Sequence, residues 1–199
     1  MGKVIGAVAI FFLSSFVPAQ AFLIGSDPDD ITVVSVDIVD SKKRPESKSP
    51  GVVSRLQAMV KFTTKVNLKE EWRRYGYVMS NHAFLCNNGV LYESKELIND
   101  PYVYDDKSYI EDSDYKPPET ESRHKYEYKI YVALRTLSSR EVTQVGFQYN
   151  LQTEPQNFCF SITGLNSFIR FTSNTVVIPK EQLIGALSRA RALLKKSGR

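Results

Sequence analysis

Two-residue alternation of apolar and polar side chains recurs in five segments of this chain and restricts the fold more than any other feature. Leu56, Ala58, Val60 and Phe62 fall on one side of a segment, with Gln57, Lys61 and Thr63 on the other. Successive side chains of an extended strand point to opposite faces, so the pattern predicts a strand with one face buried. Residues 31–40 repeat it with Val34, Val36 and Ile38 against Ser35, Asp37 and Val39. Further on, Tyr126, Tyr128, Ile130, Val132 and Leu134 share a face, as do Val145, Phe147, Tyr149 and Leu151. Phe158, Phe160 and Ile162 alternate with Cys159, Ser161 and Thr163.

Shorter strand pieces are expected at 77–79 and 83–86. Asn87-Asn88-Gly89 then supplies the positive-φ residues of a tight hairpin that returns over 90–92. Two more pieces, 168–171 and 175–178, flank a turn at Ser173-Asn174. The stretch 66–74, with the single tryptophan Trp72, reads as a turn or crossover anchored in the core by that ring. Past Pro179 the period changes to helical. Leu183, Ile184, Leu187, Ala190 and Leu194 recur at that spacing over about 180–196, and Lys195 and Lys196 complement the helix end. About eight short strands separated by turn signals predict an antiparallel β-sandwich with a C-terminal helix, mainly β in class.

The N-terminus carries a different message. Lys3 precedes an apolar run over 4–16, and Ala19-Gln20-Ala21 follows Pro18 as a small-x-small cleavage site. That order is the pattern of a secretory signal peptide over 1–21, and the run is short for a bilayer span. Cleavage would leave one domain of 178 residues over 22–199, with a net charge of +3 against +4 for the whole chain. Export to an oxidising compartment makes Cys86 and Cys159 a disulfide pair. The pair closes about 73 residues, which the chain-entropy model values at roughly 4 kcal/mol. No Asn-x-Ser/Thr sequon occurs, so a bacterial periplasm suits the chain better than a glycosylating secretory route. The cysteine spacing invites comparison with immunoglobulin domains, yet Trp72 precedes the first cysteine and Asn157 replaces the corner tyrosine. Any likeness is of architecture and carries no function.

Residues 93–121 break the alternation, with ten acids, three bases and few aliphatics. They are expected to form a long acidic surface loop. Its Tyr102, Tyr104, Tyr109 and Tyr115 are the candidate partner-binding residues, because tyrosine joins apolar area to a hydrogen-bonding tip. Asp105, Asp106, Asp112 and Asp114 could offer oxygens to calcium, but their spacing does not follow the EF-hand order, and no metal or cofactor is expected.

No catalytic motif is present: the chain lacks a nucleophile elbow, a metalloprotease helix signature, a phosphate-binding glycine loop and a dinucleotide fingerprint. Basic residues group at Lys42, Lys43, Arg44 and Lys48 and along the last helix, away from the tyrosines, which disfavours nucleic acid. Basic charge on that helix makes contact with a membrane surface conceivable, although packing of its leucines on the domain is preferred. The expectation is an exported, non-enzymatic binding or accessory protein of the cell envelope with a protein partner. The alternatives are an exported hydrolase using His82, His124 and carboxylates brought together by the fold, and a calcium- or carbohydrate-binding module.

Overall fold

The computed structural model describes residues 28–41, 56–87, 90–106, 108–111, 125–167 and 170–196. Residues 1–21, read from the sequence as a leader, and the basic residues Lys42, Lys43, Arg44 and Lys48 lie outside them. The elements in order are β1 (Thr32–Asp40), β2 (Leu56–Thr64), α1 (Leu68–Tyr75), β3 (Val78–Asn87), β4 (Val90–Glu96) and β5 (Tyr126–Ala133). They continue with α2 (Ser139–Val145), β6 (Phe158–Leu165), β7 (Arg170–Thr172), β8 (Val176–Ile178) and α3 (Lys180–Lys196).

All strand pairs are antiparallel, and they form two sheets. One runs β1-β2-β5; the other runs β4-β3-β6, with β7 and β8 one after the other along the far edge of β6. Register aligns Val36, Val60 and Ile130 across the first sheet, all buried on its inner face. The second sheet turns Ala83, Phe160 and Ile162 inward, and the rings of Phe62 and Phe160 meet with centroids 5.5 Å apart. One apolar core therefore fills the space between the sheets, which makes the fold a β-sandwich. α3 lies against β1: Leu183, Ala186 and Leu187 enter the core, and Arg189 Nη2 donates to the Val36 carbonyl at 2.8 Å. Ile184, expected on the packed stripe, is 45% exposed.

Cys86 and Cys159 are bridged, with Cα atoms 5.8 Å apart. Cys159 pairs with Phe84, so the bridge runs diagonally between adjacent strands of one sheet. An immunoglobulin bridge joins two sheets, so the likeness is confined to architecture here as well.

Two local expectations are corrected. The 66–74 stretch is a helix, α1, because Asn67 accepts the Glu70 N–H as N-cap and Gly76 closes the other end at φ 66°. Its Trp72 is half-buried at the core margin. The alternation over 145–151 does not make a strand. Ser138 and Glu141 form a capping box that starts α2, and Gly146 stops it at φ 79°. Tyr149 and Leu151 still reach the core, from an irregular segment pinned by Leu151 N–H to the Leu134 carbonyl at 2.7 Å.

The larger correction concerns the acidic stretch. Its first residues belong to β4, and Leu97, Ile98, Val103, Tyr104 and Ile110 are buried. From Leu97 the chain runs between the edges of both sheets. On one side Leu97 N–H reaches the Ala83 carbonyl and Asn81 N–H reaches the Pro101 carbonyl, each at 2.8 Å. On the other, Ala133 bonds to Ile98, Asp100 to Tyr131, and Tyr104 to Lys129 in both directions, at 2.8–3.0 Å. Backbone groups that β3 and β5 would leave unpaired inside the sandwich are satisfied this way. The segment is a strap that closes one side of the sandwich.

Candidate functional site

The strap determines what the acidic tyrosines can do. Asn81, 2% exposed on β3, donates through Nδ2 to the carbonyls of Asp100 (2.6 Å) and Tyr102 (2.9 Å), and its Oδ1 accepts from Asn99 at 2.7 Å. Asp100 is fully buried; its carboxylate accepts the Tyr104 hydroxyl at 2.8 Å and the Tyr102 N–H at 3.2 Å. Tyr104 is itself fully buried and meets Tyr131 edge to face at 5.2 Å. It is part of the scaffold and presents nothing to a partner. Tyr102 and Tyr109 are half-buried and lean on each other with centroids 5.3 Å apart, at the outer margin of the strap. Tyr115 lies outside the described residues.

The carboxylates considered for calcium are occupied differently. Asp105 receives Lys69 Nζ at 2.8 Å and caps the Ser108 N–H at 2.9 Å. Asp106 receives Lys129 Nζ at 2.6 Å, and that ammonium holds its carboxyl below the ordinary range. Asp112 and Asp114 lie outside the described residues, among which no group of three or more His, Cys, Asp or Glu converges on a metal position. Glu111 crosses back to accept the Met79 N–H at 2.6 Å; burial pushes its carboxyl up, against the pull of that bond.

His82 stands on the outer face of β3, exposed to solvent. Its Nε2 lies 3.0 Å from Thr163 Oγ1 and 3.3 Å from Ser80 Oγ, and the two hydroxyls are 3.0 Å apart. The imidazole is thus tied to hydroxyls in place of the expected carboxylate, and His124 lies outside the described residues.

An open cleft of about 430 Å³ lies where β1 begins and α1 starts, lined by Asp29, Asp30, Lys65, Val66, Asn67, Glu71 and Tyr126. The sequence offered no signal for it, since its residues come from three separate segments, 29–30, 65–71 and 126. Partial burial raises the Asp30 carboxyl. The Thr64 hydroxyl at 2.6 Å and the Lys65 N–H at 2.9 Å outweigh that and hold it ionised below its ordinary value. Those same bonds spend its oxygens on the junction between β2 and α1. No described helix is long and apolar enough to cross a membrane.

Comparison with family models, curated proteins and solved structures finds no match to this chain. Functional assignment therefore rests on the geometry alone.

Proposed function

We propose that the chain is an exported, non-enzymatic binding or accessory protein of the cell envelope, held in a periplasm-like compartment. It would meet a protein partner at the outer margin of the strap. The Tyr102–Tyr109 pair carries this reading: two phenols with part of each ring in solvent, held by a strap bonded to both sheets. Rigid aromatic groups lose little conformational freedom on binding, and tyrosine is enriched where partners bury it. The leader-like N-terminus and the bridged cysteine pair support the location.

The test is capture of partners from envelope extract on the immobilised chain, followed by affinity measurement with the purified partner. Tyr109→Ser should weaken that partner at least tenfold while unfolding remains cooperative. Equal affinity for wild type and Tyr109→Ser would exclude the strap margin as the binding surface.

A further inference from the structure

The outer face of the sheet containing β3 and β6 is charged only at opposite corners among its described residues, apart from the titratable His82 near its middle. One row across the strands holds Val78, Leu165 and Arg170; another holds Glu96, Phe84, the buried Cys159 and Val177. Val78 is 64% and Leu165 56% exposed, and Arg170 and Glu96 are exposed too. Neither the Arg170 nor the Glu96 side chain makes an ion pair or hydrogen bond within the described residues. Between the two rows, His82 Nε2 and the hydroxyls of Ser80 and Thr163 lie 3.0–3.3 Å from one another.

We infer that this face pairs with the same face of a second copy. Three strand spacings of about 4.8 Å and six residues at about 3.4 Å separate the corners, so Arg170 and Glu96 mark the ends of a diagonal of roughly 25 Å. Turning a second copy about a two-fold axis in the plane of the face, perpendicular to that diagonal, sets each Arg170 over the other copy's Glu96. An isologous contact repeats every pair, so one complementary diagonal yields two ion pairs. The strands of the two copies then cross at about 70°, closer to the orthogonal than to the aligned way in which sheets stack. The two hydroxyls at the centre keep their bonds to each other and to His82 Nε2, and the exposed Leu165 is withdrawn from water. A second copy is favoured over an unrelated partner because the charges are complementary to themselves.

The contact is small. A patch of these dimensions covers roughly 450 Å² per copy, about 900 Å² in all, which is below the 1,200 Å² or so of a standard stable interface. The dimer is therefore weak and reversible.

Sedimentation equilibrium of the chain, isolated in the N-terminal form its cell holds, tests this from roughly 10 µM to 1 mM, the range suited to an interface of that size. Wild type should pass from monomer towards dimer as concentration rises. Arg170→Glu and Glu96→Arg should each weaken association at least tenfold, by setting like charges opposite one another, and combining them should restore it. Both positions are exposed, so unfolding midpoints should match the wild type and separate lost pairing from lost folding. A wild type that stays monomeric throughout overturns the inference, as does a dimer indifferent to the single reversals or not restored by the double one.

Discussion

Replacing Asn81 by alanine tests the strap at its most connected point. The side chain is buried and makes three short bonds: two donated to the carbonyls of Asp100 and Tyr102, one accepted from Asn99. Each such bond contributes about 0.5–1.5 kcal/mol net, and a partner left unsatisfied in a buried site costs about 1–3 kcal/mol. Asn81→Ala leaves the Asp100 carbonyl only the longer bond from Asn99 Nδ2 at 3.2 Å, while the half-buried Tyr102 can recover a water. The expected loss is therefore about 3 kcal/mol. Urea unfolding followed by circular dichroism should show a lower midpoint with an unchanged slope, because the exposed area on unfolding is the same. Tyr104→Ala should cost as much or more, about 3–5 kcal/mol for a large buried ring. The two changes touch one network through Asp100, so their effects should not add. If Asn81→Ala cost less than about 1 kcal/mol, water would be replacing the strap's bonds, and 93–121 would behave as the surface loop its composition suggests.

Three other outcomes are expected. Gly164→Ala should destabilise the fold by about 1–3 kcal/mol in thermal or chemical unfolding, because a Cβ there would lie 2.1 Å from Cε1 of Phe171, whose ring is held against Tyr77. Cys86→Ser should lower stability by about 2–5 kcal/mol, and alkylation of the unreduced native protein should label no cysteine, in keeping with the bridge. Glu111 has a folded pKa raised by burial, so its contribution is fully present below the ordinary carboxylate pKa and is lost as pH rises through the raised value. Glu111→Gln keeps an acceptor for Met79, so its stability relative to wild type should climb with pH across that window and then level off; a flat difference would show that the carboxyl titrates as if in water.

Locally encoded features were legible in the sequence. Alternation located β1, β2, β5 and β6, because a two-residue period is a property of the strand itself. Helical spacing after Pro179 located α3, and an isolated pair of cysteines behind a leader-like stretch implied their bridge. Alternation misled over 145–151, where the Ser138–Glu141 box and Gly146 fix a helix upstream and leave the apolar residues to irregular backbone. The strap was hidden for a different reason. Its composition is acidic, and composition implies solvent, yet Asp100 and Tyr104 are buried because β3 and β5 leave backbone groups that something must pair. That demand exists only once two sheets face each other. The same holds for the ties of Asp105 and Asp106 to Lys69 and Lys129, for the cleft beside Asp30, and for the Arg170–Glu96 diagonal. The sequence by itself determined most of the strands and the last helix, since their periods depend on neighbours a few residues apart. Which polar residues are buried, which charges are neutralised and which face stays open depend on contacts between residues far apart in the chain, and only the tertiary structure decided them.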